Sequence, residues 1–376
     1  MMNHEITVDE LKALPINSYM LIDMRDEYTF DYGHIDGAVN IPQKNLEQNP
    51  ANLPKDKRLI ICCKSGLISL ETTEMLCERG FDAYNLTGGY CEWLRIKLEN
   101  RHITEEVEKS IRKKFHKTLW SKFAKAITVY QLVQPGDKIA VCISGGKDSM
   151  LMAKLFQELK MHNKFPFELV FLVMDPGYSP ENRTIIEKNA EALSIPITVF
   201  KSDIFESVYH IEKSPCYICA RMRRGHLYSK AKALGCNKIA LGHHFDDVIE
   251  TILMGMLYGG QIQTMMPKLH STNFEGMELI RPMYLIREDD IKHWRDYNDL
   301  HFIQCACKFT DTCTTCTPTN TGSKRQEIKR LIAAMKKSNP QVEKNIFRSV
   351  ENVNLNTIIA YKDEDGVHSF LDDYDE

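Results

Sequence analysis

The sequence predicts an α/β protein in which two successive regions are each built around a parallel sheet. Short strand-like runs alternate with helical stretches over residues 1–97, and the same alternation returns on a larger scale from Asp137 onward. Alternation of this kind is typical of a mostly parallel sheet covered on both faces by helices. In addition, small or polar residues follow several strand-like runs, where such sheets present their ligand crevices.

The length and composition are those of an ordinary globular chain. Its 376 residues suffice for two or three domains, and 43% are hydrophobic and 26% charged. No apolar run approaches the ~20 residues that a membrane span needs, and the N-terminus lacks a secretory signal pattern. We therefore expect a cytoplasmic protein without membrane contact, whose twelve cysteines are reduced, and we favour catalysis or metal binding over a disulfide framework.

The charge of the chain is unevenly distributed. Residues 1–100 and residues 361–376 each carry a balance of −6, whereas the whole chain carries −3, so residues 101–360 carry +9. A middle region of this charge is basic enough to contact a polyanion such as a nucleic acid, although a solvated helix face has a similar composition. We expect the acidic tail, 361–376, to be mobile.

The first region, 1–97, contains the strand-like runs YMLIDM, RLIICC and DAYNL. The stretch CKSGLIS at 63–69 follows the second run, and its small residues let successive N–H groups point at one centre. A thiolate or persulfide at Cys63 would be held there, beside the N-terminus of a helix that begins near Leu70. Taken alone, a cysteine after a strand is more often inert packing.

Three stretches of this region together resemble the rhodanese family: LIDMRDEYTFDYGHIDGAVNIP at 21–42, the 63–69 loop, and LTGGYCEW at 86–93. The resemblance implies that Cys63 carries sulfane sulfur. It also implies that Asp23, Arg25 and His34 brace the domain.

The 63–69 loop departs from the pattern of many active rhodaneses, which hold arginines where this chain has Lys64, Leu67 and Ile68. The departure disfavours thiosulfate as the sulfur donor. It favours a persulfide handed over by another protein, such as a cysteine desulfurase. We expect Cys62 to point into the core.

A basic, helical connector containing RKKFHKTLW is predicted over 98–134, followed by the larger domain at 135–360. The strand candidates of that domain are KIAVCI, ELVFLVMD, ITVFKS and NKIALG. Its helix candidates lie at 148–160, 181–193, 222–234 and 246–258, and a basic helical segment lies near 323–350.

The stretch SGGKDS at 144–149 lies between the first of these strands and the first helix. Its glycines allow a close approach of the backbone to a phosphate, its serines donate hydrogen bonds, its lysine adds positive charge, and the helix start offers free N–H groups. Asp148 would orient the loop or hold Mg²⁺. The predicted phosphate site, which the resemblance given next implies is for ATP, therefore contains Ser144, Gly145, Gly146, Lys147, Asp148 and Ser149. A plain strand–turn–helix connection is the structural alternative.

This stretch resembles the loop of the PP-loop ATP pyrophosphatases, adenine nucleotide alpha-hydrolase-like enzymes with a Rossmann-type sheet that cleave ATP to AMP and pyrophosphate. Residues 216–260 and RPMYLIRE at 281–288 resemble the tRNA 2-thiocytidine synthetase branch of that family. In that branch a CxxC pair and a third cysteine bind a [4Fe–4S] cluster whose open iron holds sulfur. The resemblance implies this role for Cys216 and Cys219, for which a redox pair or buried packing is the alternative.

The third cluster ligand is left open by the sequence. Cys305 lies where the family's ligand is expected and is favoured here, whereas Cys313 and Cys316 have the better CxxC spacing. Cys307, which lies between Cys305 and Cys313, is a further candidate. These four cysteines would also suit a separate structural zinc ion. Packing is the interpretation for the remaining cysteines in apolar patterns: Cys77, Cys91, Cys142 and Cys236.

The stretch GHHFDD at 242–247 also follows a strand and opens a helix. We expect Gly242, His243 and His244 to line the ATP site, and Asp246 and Asp247 to contact Mg²⁺ or the target base. Aspartates in a first helical turn also act simply as caps.

The resemblance implies an ATP-dependent tRNA thiolase that adenylates a cytidine, with position 32 as the expected target, and is fused to its own sulfur carrier. Cys63, Lys147 and Asp247 are the predicted catalytic residues, and a homodimer is expected. The residues predicted to hold the tRNA backbone are Arg221, Arg223, Arg224, Lys324 and Arg325. The alternatives are thiolation of a uridine, a lysidine synthetase-like ligase, and a sulfur-relay or redox-sensing module that binds nucleotide without turnover.

Overall fold

The computed structural model describes most of the chain. The residues outside it are 1–3, 16, 49, 51–52, 99–102, 163–164, 203, 205–214, 304–323, 373 and 375–376, and only the backbone is described for 215–220. The described residues form two compact units. The first contains residues 1–245 and 267–321, and the second contains residues 246–266 and 322–376.

The first unit begins with a five-stranded sheet in which every neighbouring pair of strands is parallel. Its order is β1-β5-β4-β2-β3, where the strands are β1 Glu5–Ile6, β2 Tyr19–Asp23, β3 Val39–Asn40, β4 Arg58–Cys62 and β5 Ala83–Leu86. The helices around it are α1 Val8–Ala13, α2 Glu27–Tyr32, α3 Gln43–Gln48, α4 Leu67–Glu78 and α5 Gly89–Leu98. The three strands predicted from the sequence are present, because each is a buried apolar run. The other two have two residues each, too few to give a pattern.

Helical structure follows, as predicted for the connector. It consists of α6 Thr104–Arg112, a π-helical turn His116–Trp120 and α7 Ser121–Val129. The ammonium of Lys154, which is 1% exposed, donates to Glu108 at 2.8 Å, and Arg112 donates to Glu158 at 2.7 Å. Burial lowers the pKa of Lys154, although Glu108 acts in the opposite direction. These ion pairs join α6 to the domain that follows.

A second sheet of six strands forms the centre of that domain. Its order is β10-β11-β9-β6-β7-β8, where the strands are β6 Lys138–Ile143, β7 Glu168–Asp175, β8 Ile197–Lys201, β9 Lys238–Ala240, β10 Lys268–His270 and β11 Glu278–Ile280. Only the edge strand β10 is antiparallel to its neighbour. The predicted α/β class with a mostly parallel sheet is confirmed in both domains.

The helices of the larger domain are α8 Lys147–His162, α9 Pro180–Ala192, α10 Pro215–Ala233, α11 Phe245–Gly259 and α12 Glu288–Tyr297. The first four correspond to the predicted helices. The predicted start of α10 at residue 222 is wrong, because the helix begins at Pro215 and already includes the CxxC segment. No helix in the described part of the chain is both long and apolar enough to cross a membrane.

The second unit contains most of α11 together with α13 Lys324–Ser338, α14 Val342–Ser349 and a 3-10 turn Leu355–Thr357. Strands β12 Ala360–Lys362 and β13 Val367–Ser369 then pair as an antiparallel hairpin. The first part of the acidic tail is thus an antiparallel hairpin, and the mobility expected of the tail stays a prediction. Asp363 stabilises the turn by accepting hydrogen bonds from the backbone N–H groups of Asp365 and Gly366.

Candidate functional site

The thiol of Cys63 lies at the carboxyl end of β4, inside the loop predicted to hold it. The N–H of Gly66 donates to its Sγ at 3.1 Å, and Ser69 Oγ lies at the same distance. Ser69 Oγ also lies 2.6 Å from Asn85 Oδ1. One hydroxyl proton cannot serve both acceptors, so Ser69 donates either to Asn85 or to an anionic sulfur at Cys63.

Two glycines shape this loop. Gly66 caps the N-terminus of α4 with a φ of 83°, so the helix begins at Leu67, three residues before the predicted start. Gly89 has a φ of 58°, and a Cβ added to it would lie 2.5 Å from Cys63 O and 2.7 Å from Gly66 N. The stretch LTGGYCEW therefore holds the 63–69 loop by direct backbone contact.

The residues implied to brace the rhodanese-like domain do make framework contacts. Asp23 is fully buried, and Arg25 donates to its carboxylate and, at 2.8 Å, to Gly33 O. The ring of His34 stacks on Phe30 with centroids 3.9 Å apart. These contacts fix the end of α2, the helix that precedes Gly33.

Three buried thiols outside the 63–69 loop, those of Cys62, Cys91 and Cys142, are poor nucleophiles. Burial raises the pKa of Cys62 well above its ordinary value, and Cys62 is 1% exposed, so it points into the core as predicted. Burial also raises the pKa of Cys91 to about 11. In the larger domain, burial raises the pKa of Cys142 to about 12. All three thiols stay protonated near neutral pH, which fits a packing role.

The SGGKDS segment forms a loop between β6 and α8 and is held by its two serines. Ser144 Oγ lies 3.2 Å from Ser149 Oγ, which also accepts the N–H of Ser144 at 3.1 Å. The Ser149 hydroxyl donates to Gly146 O at 2.9 Å. Gly145 has a φ of 87°, and a Cβ there would lie 2.5 Å from Ile186 Cγ1, so the tight turn requires glycine. The N-terminus of the 16-residue helix α8 begins at this loop.

Lys147 is the charged centre of the loop. Its ammonium is 3.1 Å from Asp148 and 3.2 Å from Glu288, and its side chain is 5% exposed. Burial by itself lowers the pKa of Lys147, but the nearby acids outweigh it and raise the pKa overall. Lys147 is therefore a permanent cation at any physiological pH.

The GHHFDD segment lies partly against this loop. A Cβ added to Gly242 would contact the backbone of Asp148 and Ser149 at 3.4 Å, so Gly242 lies directly beside the loop. His244 is 5% exposed, and its Nε2 is 4.0 Å from Asp148 Oδ1. His243, next to it in sequence, is partly buried. The two segments predicted to form the ATP site thus lie side by side at two strand ends of one sheet, and their role in binding ATP stays a prediction.

Asp246 and Asp247 occupy the first turn of α11 and belong to the second unit. Asp247 Oδ1 accepts a hydrogen bond from Arg325 Nη1 at 2.8 Å. The predicted catalytic carboxylate and one of the predicted tRNA-binding arginines are therefore partners of each other. The roles assigned to both residues stay predictions.

The remaining basic residues predicted to hold tRNA are largely available to solvent. On α10, Arg221 and Arg224 are exposed and Arg223 is partly buried. Lys324, at the start of α13, is exposed and lies 4.9 Å from the centroid of the Tyr258 ring.

The predicted cluster ligands lie outside what the structure describes. Cys305, Cys307, Cys313 and Cys316 fall in residues 304–323, and for Cys216 and Cys219 only the backbone at the start of α10 is described. Among the described side chains there is no group of three His, Cys, Asp or Glu residues that could hold a metal ion. The predictions of a [4Fe–4S] cluster and of a structural zinc ion at these cysteines therefore stay predictions.

The rhodanese-like domain packs against the larger domain within the first unit. Trp93 meets His301 edge to face, with ring centroids 5.5 Å apart, and Lys97 is 3.3 Å from Asp299. A cavity of about 720 Å³ opens beside the 63–69 loop. Its lining includes Lys64, Ser65, Leu67 and Cys91 on one side and Ser179, Glu181 and Asn182 on the other.

Three residues in or beside the two loops were not assigned from the sequence. Ser69 contacts Cys63, Glu288 pairs with Lys147, and the hydroxyl of Tyr32 accepts the backbone N–H of Lys147 at 3.2 Å. Ser69 and Glu288 lie within the quoted stretches CKSGLIS and RPMYLIRE, so a resemblance carried residue by residue could have found them. Tyr32 is 115 positions from Lys147, and no local pattern links the two.

The family profile described as a PP-loop domain matches residues 108–309, and that of the rhodanese-like domain matches residues 7–96. A curated relative from Syntrophotalea carbinolica, named tRNA-cytidine(32) 2-sulfurtransferase, is 34% identical over 232 residues. The match covers 61% of this chain and 86% of the relative.

A relative of the same name from Neisseria meningitidis serogroup A is 35% identical over 212 residues, which are 55% of this chain and 64% of the relative. Among solved structures, the U34-tRNA thiolase NcsA from Methanococcus maripaludis with its [4Fe-4S] cluster is 21% identical with a TM-score of 0.49. That match covers 72% of this chain and 80% of the other.

Proposed function

Because the chain belongs to the tRNA-cytidine(32) 2-sulfurtransferase family of PP-loop proteins, with a rhodanese-like domain in front, we propose that it converts cytidine 32 of a tRNA to 2-thiocytidine in an ATP-dependent reaction. The chain is an enzyme, a tRNA sulfurtransferase. The observation that carries the ATP-dependent part is the 144–149 loop, where hydroxyls, backbone N–H groups and the start of α8 converge beside a buried cation.

We assign the loop to the triphosphate of ATP. The oxygen at C2 of cytosine is a poor leaving group. Its attack on the α-phosphate releases pyrophosphate and makes AMP the leaving group. The loop stabilises the charge of the departing pyrophosphate, since its N–H groups and Lys147 are fixed in place before the reaction. The side chain of Asp148, within the loop, is 31% exposed, so it fits a carboxylate that would hold Mg²⁺ on the phosphates.

Sulfur then replaces the adenylated oxygen. A sulfide forms the C–S bond and AMP leaves with the C2 oxygen, so the step involves no change of oxidation state. The terminal sulfur of a Cys63 persulfide is more oxidised and needs two electrons from a thiol before it becomes sulfide. A [4Fe–4S] cluster, when bound, would supply an iron that holds this sulfur. Thiolates suit such a cluster, and Cys216 and Cys219 are one helical turn apart in α10.

In this proposal Cys63 takes sulfur from a persulfide donor protein. The N–H of Gly66 and the hydroxyl of Ser69 can both donate to the anionic sulfur that Cys63 then carries. The tRNA backbone would contact Arg221, Arg223 and Arg224 on α10 and Lys324 on α13. Such contacts are salt-sensitive and largely independent of sequence.

The test uses the full-length protein, prepared without oxygen, with Mg·ATP, sulfide and tRNA. We expect pyrophosphate release and 2-thiocytidine, measured by nucleoside mass spectrometry. Ser149→Ala should lower the rate roughly 10- to 100-fold, because it removes a hydroxyl that shapes a charged site. Ser338→Ala, in an exposed hydroxyl bonded to its own helix, is the matched control. Consumption of lysine, or pyrophosphate release without thiolated tRNA, would contradict the proposal.

A further inference from the structure

A side chain of the rhodanese-like domain reaches the phosphate loop of the other domain. The hydroxyl oxygen of Tyr32, the last residue of α2, accepts the N–H of Lys147 at 3.2 Å. A Cβ added to Gly146 would lie 3.8 Å from the same oxygen. The hydroxyl therefore lies over the turn and on the first N–H of α8, where a helix start binds anions.

Tyr32 is held in this position from both domains. Arg25, buried against Asp23, donates to Gly33 O at 2.8 Å and fixes the chain directly after Tyr32. Arg295 of α12 donates to Tyr32 O at 2.5 Å, and its guanidinium lies 5.3 Å from the centre of the tyrosine ring. The ammonium of Lys147 lies 5.5 Å from the same ring. The phenol ring of Tyr32 is thus held between the cations of Arg295 and Lys147 and by contacts to both domains.

A phosphate oxygen and the Tyr32 hydroxyl cannot both accept this N–H. A charge-assisted hydrogen bond from a backbone N–H places an anionic oxygen about 2.7–2.9 Å from the nitrogen, along the direction that Tyr32 Oη occupies. Tyr32 is a neutral acceptor, because burial raises its pKa to about 12. An anionic phosphate is the stronger acceptor, so it displaces the phenol rather than the reverse.

We propose that Tyr32 is a gate on the phosphate loop, whose hydroxyl competes with an ATP phosphate for the N–H of Lys147, so that nucleotide binding loosens the contact between α2 and the loop. This inference rests on the proposed function of the loop. Since coupling between two binding events is reciprocal, docking of α2 weakens ATP binding by the same factor by which ATP weakens docking. Sulfur carrier and nucleotide site thereby respond to each other within one chain.

The test compares the full-length wild type with Tyr32→Phe and with the control Tyr28→Phe, which changes a half-exposed tyrosine of the same helix. The affinities for Mg·ATP and for adenosine are measured by calorimetry. We expect Tyr32→Phe to bind ATP about three- to tenfold more tightly, because the competing hydroxyl is gone. Adenosine, which has no phosphate, should bind all three proteins equally.

Hydrogen exchange of wild-type residues 27–33 provides a measurement that needs no variant. We expect faster exchange with saturating ATP than without it. An ATP affinity of Tyr32→Phe equal to or weaker than that of wild type, or slower exchange with ATP, would overturn the gate while leaving ATP binding intact. If none of the three proteins bound ATP, the proposed function and the gate would both be wrong.

Discussion

Arg325 Nη1 donates a hydrogen bond of 2.8 Å to Asp247 Oδ1, and this bond joins α13 to the first turn of α11 within the second unit. The Nε of Arg325 lies 3.6 Å from Glu250, and Lys329 lies 3.8 Å from the same carboxylate. Glu250 is only 2% exposed. Two acids of α11, Asp247 and Glu250, thus partly neutralise the positive charge of α13. Less positive charge of α13 remains to bind a polyanion.

We expect Asp247→Asn and Arg325→Gln to be coupled in a double-mutant cycle. The Arg325 side chain is 41% exposed, so solvent screening limits the coupling to about 0.5–1 kcal/mol of unfolding free energy. Urea unfolding of the two single variants and the double variant measures it. Additive single effects would show that the ion pair contributes nothing to stability.

Gly89→Ala should destabilise the rhodanese-like domain more than Gly37→Ala. Both glycines have positive φ, so alanine introduces backbone strain of about 1 kcal/mol at either position. Only at Gly89 would the new Cβ also lie 2.5 Å from a backbone atom, Cys63 O, whereas Gly37 has open space. Urea unfolding should therefore give a total loss of about 2–4 kcal/mol for Gly89→Ala. Equal losses would contradict the close crossing of the two loops.

Sulfur loading should depend on Cys63 and Ser69 but not on Cys62. Cys63→Ala should abolish persulfide formation. Ser69→Ala should slow it roughly three- to tenfold, because one hydrogen bond to the sulfur is removed. Cys62→Ala is the control, since burial raises the pKa of that thiol and keeps it protonated. Intact mass spectrometry after exposure to a persulfide donor checks all three, and loading of Cys63→Ala would refute the assignment.

Alkaline pH should destabilise wild type more than Tyr32→Phe. Burial raises the pKa of Tyr32 to about 12 in the folded chain, from about 10 when it is unfolded. A raised pKa means that the folded state holds its proton longer, so the stabilisation is complete below pH 10 and is lost as the pH rises toward 12. Between pH 9 and 11.5 we expect wild type to lose about 2 kcal/mol more than the variant in urea unfolding. If the unfolding free energies of wild type and Tyr32→Phe fell equally with rising pH, the burial of this phenol would be contradicted.

The sequence predicted the parts of the fold that are encoded locally. The run KIAVCI became β6 and ELVFLVMD became β7 at the predicted residues, because a buried parallel strand is a short apolar run and a turn follows it. The three-residue strands β10 and β11 are too short to give a period. The helix α10 begins at Pro215, seven residues before the predicted start at residue 222.

The candidate site was predictable only in its loops. Small and polar residues after a strand mark a cradle, which is why Cys63 and the 144–149 loop could be located. The partners of these loops lie far away in the chain: Lys147 meets Glu288 and Tyr32 through tertiary packing alone. The hydrophobic periodicity of a sequence does not reveal contacts between distant residues. The pairing of Arg325 with Asp247 was missed for the same reason.

The two loops share one construction. Each lies at the end of a parallel strand, turns through glycine, and opens a helix, α4 in one case and α8 in the other. Backbone N–H groups arranged in this way bind an anion according to its negative charge and size, whether the anion carries sulfur or phosphorus. We therefore expect inorganic phosphate or sulfate to compete for both loops, so an assay buffer rich in either anion should slow the proposed sulfur loading and the proposed ATP reaction together.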